Sequence, residues 1–315
     1  MFELSGKKIW VTGHRGMVGG ALVRALSDMD CDILTTTRDQ VDLTRQAEVK
    51  EWMEENQPDV VIVAAAKVGG IEANRSYPAD FIYDNLMIAA NVIHASHSVG
   101  VDKLLFLGSS CIYPKHADQP MAEDALLTGP LEQTNQWYAI AKISGIKLCQ
   151  AYRRQHNDDF ISAMPTNLYG PGDNFHPEHS HVPAALLDRF HRAKMNDKDQ
   201  VTVWGTGNPK REFLHVDDLA DACIHLLQHY SGEGIVNIGT GQDISIADFA
   251  HKVKSTVGFD GELVFDTDKP DGTPRKLLDV SKLHDLGWRH QIDLDEGLSH
   301  YYDWYLDNIE NLRAA

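Results

Sequence analysis

Two short stretches of the chain carry side chains that can move protons. "GSSCIYPK" (108–115) holds Ser109 and Cys111 directly after the apolar run "KLLFLG". "YAIAK" holds Tyr138 and Lys142, four residues apart, which on a helix puts them on one face. A lysine beside a phenol lowers the phenol's pKa, so the phenol can exchange a proton near neutral pH. A serine hydroxyl at a strand end can hydrogen-bond a substrate carbonyl. This set suits proton transfer at a carbonyl oxygen. Cys111 admits two readings from residue type alone. As a thiolate it can remove a carbon-bound proton. As a thiol it is a small apolar core residue, the commoner use of a free cysteine.

A third stretch, "VTGHRGMVGG", spaces Gly13, Gly16 and Gly19 as GxxGxxG between an apolar strand and a helical pattern. Glycines there permit a tight turn and let backbone N–H groups of the loop, Met17 and Val18 included, approach a pyrophosphate, with the helix N-terminus behind them. The strand–turn–helix context is what makes such a motif informative. A binder of NAD places an Asp or Glu at the end of the second strand to hold the ribose 2′-hydroxyl. Here that strand ends "TTTRDQ", with Arg38 at the position and Asp39 after it, and Arg15 sits in the glycine loop. Guanidinium forks match phosphate. The cofactor expected is therefore NADP(H).

These residues need a scaffold, and the apolar patterning describes one. Strands are expected at 8–13, 31–37, 59–66, 102–108 and from 160. Helices are expected at 17–29, 46–56, 81–100 and 138–157. Short apolar runs alternating with helices predict βαβ units and a parallel sheet. The fold class is α/β, a Rossmann-type doubly wound parallel sheet with a smaller, interleaved C-terminal substrate domain. The cofactor domain is expected to span 1–165, with a return of the chain near 212–242 through a last strand at 235–239. The substrate domain is expected over 166–315. Asn167, just after "SAMPT", falls where it lines the cofactor site.

Composition narrows the partners. The 315 residues carry 29 basic and 46 acidic side chains, a net charge of −17, which argues against a nucleic-acid partner. No apolar run reaches the ~18 residues of a membrane helix, and "MFELSGKKIWVTG" lacks a signal-peptide pattern, so a cytoplasmic protein is expected. Cysteines 31, 111, 149 and 223 form no CxxC pair and no disulfide framework. "HPEHSH" gathers His176, His179 and His181, but the spacing fits no zinc pattern, and no metal is expected.

With the glycine loop, the strand-end serine and YxxxK in this order, the sequence resembles the extended short-chain dehydrogenase/reductase family over nearly its whole length. The resemblance implies a Ser109–Tyr138–Lys142 catalytic set, with Lys142 also touching the nicotinamide ribose. The blocks "GHRGMVG", "AAAKVGGI", "YPADFIYDN", "LLFLGSSCIYPK", "MPTNLYGP", "DNFHPEHSHV", "REFLHVDD" and "KPDGTPRKLLDV" narrow it to the branch that epimerises and reduces GDP-4-keto-6-deoxy-D-mannose. That branch implies an acid–base pair of Cys111 and His181 for inversion at C3 and C5. It also implies substrate contacts at Arg189, Trp204, Arg211 and Asp271, and a homodimer formed through helices matching 81–99 and 138–156. Two alternatives stand beside it: another nucleotide-sugar 4-epimerase/reductase of the same family, which needs no C3/C5 pair, and a non-catalytic NADP-binding regulator.

Overall fold

A computed structural model describes residues 1–312 of the chain, apart from 178, 179 and 270. The first half alternates as the apolar pattern requires: β1 (Lys8–Thr12), α1 (Met17–Ser27), β2 (Asp32–Leu34), α2 (Gln46–Asn56), β3 (Val60–Val63), α3 (Ile71–Ser76), α4 (Pro78–Val99), β4 (Lys103–Leu107), α5 (Gln136–His156) and β5 (Phe160–Pro165). The second half is more broken: β6 (Asn167–Tyr169), α6 (Val182–Met195), β7 (Gln200–Trp204), β8 (Lys210–Arg211), β9 (Phe213–His215), α7 (Val216–His229), β10 (Val236–Ile238), β11 (Ile244–Ser245), α8 (Ile246–Val257), β12 (Glu262–Asp266), β13 (Arg275–Lys276), α9 (Ser281–Asp285) and α10 (Leu294–Asn308).

Six strands form one parallel sheet in the order β10-β5-β4-β3-β1-β2. Strands β3, β4 and β5 are buried along their whole length, which explains why they read as continuous apolar runs: helices cover both faces. One core cluster joins the sheet to α1 and α7 through Leu22, Leu26, Leu219 and Leu227. The other joins it to α2, α4 and α5 through Met53, Val92, Ile93 and Ile146. The chain leaves β1 for β2 on one side and β3 on the other, so the sheet's order reverses between β1 and β3. A crevice opens at the carboxyl ends of the strands at such a point.

Two element boundaries differ from the sequence expectation for identifiable reasons. β2 ends at Leu34, because "TTT" leaves the sheet for a loop that borders the crevice. α4 begins at Pro78, before the apolar pattern starts, since a proline at the first helical position lacks only an N–H that would go unpaired there. It closes on Gly100 at φ 77°, the left-handed conformation glycine adopts freely. α3 and α10 carry no pattern strong enough to announce them.

A third core cluster fills the space between α6, α8 and α10, with Phe190, Phe213, Phe249 and Tyr301 at its centre. Parallel pairing of β6 with β9 and the small sheet β11-β8-β13 hold this part against the carboxyl edge of the main sheet.

Candidate active site

A cleft of about 710 Å³ runs over the carboxyl ends of the strands. Of the residues singled out from sequence, Gly13, Arg15, Gly16, Met17, Val18, Gly19, Arg38, Ser109, Tyr138, Lys142, Asn167, His181 and Arg211 line it. Cys111, Arg189, Trp204 and Asp271 do not.

The glycine loop is built by close backbone approach. Gly13 has φ +72°, and a Cβ there would come within 2.7 Å of the Ala65 Cα. A Cβ on Gly19 would run into the carbonyl oxygen of Gly13. Thr12 locks the neighbouring strand ends, its hydroxyl donating to Ile62 O at 3.3 Å and accepting from Ala65 N at 3.1 Å. Gly16 caps α1 with no side-chain hydrogen bond, so the first N–H groups of α1 stay available to an anion. His14 also lines the cleft, and its Nδ1 is buried without a hydrogen-bond partner. Sequence reasoning passed it over because a histidine inside a glycine loop has no motif of its own. Arg38 projects into solvent at the far end, 76 % exposed and 3.5 Å from Asp42. An open cleft, a cradle that only glycine fits, a free helix terminus and a guanidinium held by no more than an exposed ion pair together fit a dinucleotide with a 2′-phosphate.

The proton-transfer group sits at the centre. Ser109 ends the turn out of β4, and its hydroxyl accepts from Cys111 N at 3.4 Å. Lys142 is buried on α5 and donates to Leu107 O at 2.7 Å. Its Nζ lies 5.7 Å from the Tyr138 ring centroid and 4.9 Å from that of Phe106. Burial pushes Lys142 down to about 8. Burial also pushes the Tyr138 phenol up, and a thiolate at Cys111 pushes it further. This is the opposite direction to the lowering expected from the YxxxK spacing, because desolvation of the phenol outweighs a lysine that stands by the ring and bonds elsewhere.

Cys111 is 8 % exposed, behind the cleft wall. Burial raises its pKa; Lys276, the Ser109 hydroxyl and Lys142 act against that rise. Lys276 is absent from the residues picked out by sequence. It lies on β13, in register with Arg211 on β8, and burial lowers its pKa while Cys111 raises it. The signal available was a lysine entering the apolar run "KLLDV", and a lone lysine there reads as a strand end.

His181 is the N-cap residue of α6, and its ring opens onto the cleft. The surrounding protein lowers its pKa. His179 lies outside the described residues, and among those described no group of three or more His, Cys, Asp or Glu is placed to hold a metal.

Arg211 borders the cleft, its Nη1 donating to Lys210 O at 2.7 Å. Asn167 is committed to the wall, donating to Glu212 O at 2.8 Å. The other three sequence-predicted contacts are placed around β7. Arg189 on α6 donates to Thr202 O at 2.7 Å, and Trp204, two residues on, is 68 % exposed with Lys269 Nζ 5.5 Å from its ring centroid. Asp271 accepts from Thr206 N at 2.9 Å and from its hydroxyl at 2.7 Å. Its carboxylate thereby pins one turn to another, leaving less of it for a ligand than the sequence reading supposed.

The pattern of the NAD dependent epimerase/dehydratase family matches residues 9–239. The chain is 61 % identical to GDP-L-fucose synthase 1 of Arabidopsis thaliana over 305 residues, covering 96 % of this chain and 94 % of that one. It is 52 % identical to GDP-L-fucose synthase of Escherichia coli strain K12, covering 99 % of this chain and 100 % of that one. The solved structure of a GDP-L-fucose synthetase from Naegleria fowleri bound to NADP superposes with a TM-score of 0.92 at 27 % identity, over 99 % of this chain and 98 % of that one. The cleft at the strand ends, the glycine cradle and these full-length likenesses agree: the chain belongs to the NAD dependent epimerase/dehydratase family, in its GDP-L-fucose synthase branch.

Proposed function

We propose that this chain converts GDP-4-keto-6-deoxy-D-mannose to GDP-L-fucose with NADPH, by epimerisation at C3 and C5 followed by reduction at C4. The observation that carries the reading is that Ser109, Tyr138 and Lys142 line one cleft together with His181, while Cys111 sits against Ser109, its N–H donating to that hydroxyl at 3.4 Å. A ketone acidifies the C–H bonds on both neighbouring carbons, so an acid–base pair beside a carbonyl-binding group can invert C3 and C5.

In this reading the Ser109 and Tyr138 hydroxyls hold the C4 oxygen. Cys111 takes the carbon-bound proton, and His181 returns one. The hydride for C4 would come from NADPH held in this cleft. Tyr138 then gives its proton to the C4 oxygen, and Lys142, positively charged below about pH 8, steadies the charge left on the phenol. The glycine loop and the start of α1 hold the dinucleotide pyrophosphate, with Arg15 and Arg38 for the 2′-phosphate. Arg211 and Arg189 suit the GDP phosphates. Trp204 offers an exposed aromatic face for the nucleotide or sugar.

A homodimer through α4 and α5 belongs to the same reading. Tyr83 on α4, and Trp137 and Ile140 on α5, are exposed large apolar residues on these helices. No helix among the described residues is long and apolar enough to cross a membrane.

The test is NADPH oxidation followed by absorbance with GDP-4-keto-6-deoxy-D-mannose, and NMR of the product. Turnover to GDP-L-fucose is expected. Absence of NADPH oxidation by folded, NADPH-binding protein would refute the reading.

A further inference from the structure

Glu212 sits between β8 and β9 and is fully buried, at 0 % exposure. A carboxyl group out of water needs hydrogen bonds or a counter-charge. Among the described residues no cation is paired with it. Its acceptors are filled by backbone and hydroxyl groups. Oε1 accepts from Gly241 N at 2.7 Å and from the Thr240 hydroxyl at 3.4 Å, and Oε2 accepts from Leu278 N at 3.1 Å. A Cβ on Gly239 would strike the same carboxylate, so a glycine keeps its place open.

The backbone of Glu212 is tied as firmly. Its carbonyl accepts from Asn167 Nδ2 at 2.8 Å and from the Thr166 hydroxyl at 3.5 Å, and its N–H donates to Lys276 O at 3.3 Å. One residue therefore joins segments 166–167, 240–241 and 276–278 to the β8–β9 junction. Those segments bring Asn167 and Lys276 to the site, and both chain neighbours of Glu212, Arg211 and Phe213, line the cleft.

Arg211 itself is held loosely at its tip. Its guanidinium bonds the carbonyl of the preceding residue and meets no carboxylate among the described residues. Its direction is thus inherited from the backbone it leaves, and that backbone is fixed one residue later by a buried carboxylate.

We propose that Glu212 is a positioning residue for nucleoside-diphosphate binding: its carboxylate, by bonding Gly241 and Leu278, holds the β8–β9 junction in the place from which Arg211 reaches the diphosphate. The assignment of Arg211 to a diphosphate rests on the function proposed above. A residue that served stability alone would lower GDP and NADPH binding together or neither.

The test is calorimetric titration of GDP, and separately of NADPH, into wild type, Glu212→Gln, Arg211→Ala and the double variant. Glutamine keeps the shape but turns one acceptor into a donor facing a backbone N–H. GDP affinity is expected to fall about tenfold in Glu212→Gln, with NADPH affinity within about twofold of wild type, and Glu212→Gln should lower GDP affinity no further in the Arg211→Ala background. Unchanged GDP affinity, parallel loss of both ligands, or full additivity in the double variant overturns the proposal. Should Glu212→Gln fail to fold, Glu212→Asp, which keeps the charge but shortens the reach, is titrated in the same way and judged by the same pattern. GDP binding needs no turnover, so a wild type that binds GDP yet leaves the 4-keto sugar unreduced sinks the proposed function and not this inference.

Discussion

Lys142 donates to the main-chain carbonyl of Leu107 at 2.7 Å, tying the buried face of α5 to the last residue of β4. Leu107 is followed at once by Gly108 and Ser109, so this bond fixes the distance between the serine's turn and the helix that carries Tyr138. Gly145 makes the approach possible: a Cβ there would strike the Phe106 ring of β4. The lysine therefore acts here as a spacer as well as a charge.

Tyr138→Phe removes the hydroxyl assigned to protonate the C4 oxygen and leaves that spacing intact. NADPH oxidation should fall by about 10²–10⁴-fold, the range for losing a general acid, with NADPH affinity unchanged and proton exchange at C3 and C5 retained. Lys142 loses its charge as pH rises through about 8, so reduction by wild type should decline above that pH. Stopped-flow absorbance measures both; near-normal oxidation by Tyr138→Phe removes the residue from the role.

Arg38 stands 76 % exposed beside Asp42 at 3.5 Å, a pair that solvent screens and that contributes little. The guanidinium is free to turn to a 2′-phosphate. Arg38→Ala should weaken NADPH by roughly 10- to 100-fold, the worth of a hydrogen bond between charged groups, and leave NADH as it was. Titration of the two cofactors by fluorescence decides it, and an equal loss for both would place Arg38 outside the phosphate site.

Strands β1, β3, β4 and β5 and helices α1, α2, α4 and α5 were readable because each such strand is one apolar run and each such helix carries an apolar stripe; both periods are local. That the glycine loop, Ser109, Tyr138 and Lys142 line the cleft was suggested by short motifs, GxxGxxG, the strand-end serine and YxxxK, each contained within a few residues. Lys276 and Glu212 were not. Each matters through residues more than 25 positions away: Lys276 through Cys111, and Glu212 through Gly241 and Leu278. The direction of the Tyr138 shift was missed because spacing gives the lysine's proximity but carries no measure of burial.

Asp159 tests the opposite end of the sheet. It lies 3.1 Å from the ammonium of buried Lys103 and 2.7 Å from Arg153. Burial works to raise its pKa, and hydrogen bonds from Arg153, Ser231 and Lys103 overcome that and hold it below the ordinary value. A depressed carboxyl contributes stability that is complete above its unfolded pKa, ~3.9, and is lost as pH falls through the folded one. Asp159→Asn strands the Lys103 charge and should cost roughly 2–3 kcal/mol, less than the full penalty of a broken buried pair because Asp159 is part-exposed. Urea denaturation at pH 7 should show that loss, with the difference from wild type narrowing as pH falls below ~3.9 and on through the depressed folded pKa. NADPH affinity should not change. A variant as stable as wild type at pH 7 would mean that Lys103 finds enough compensation from Tyr230 O alone, 2.6 Å away.

In the proposed function Cys111 is the base for epimerisation, and that role can be tested. Burial raises its pKa, and Lys276, the Ser109 hydroxyl and Lys142 oppose the rise. Thiolate therefore accumulates as pH rises, and the rate of deuterium entry at C3 and C5 in D₂O should climb with it. Lys276→Met withdraws the cation that opposes burial most, so the climb should move to higher pH. Cys111→Ser replaces the thiol with an alcohol that stays protonated in this range, and exchange should fall by about 10²-fold or more. Ser109, Tyr138 and Lys142 remain in place in that variant, so slow reduction without inversion is expected, giving a deoxymannose- or deoxytalose-type product by NMR. Exchange at the wild-type rate in Cys111→Ser, with an unshifted profile in Lys276→Met, would mean that the cysteine only packs the wall and that the base lies on another residue of the cleft.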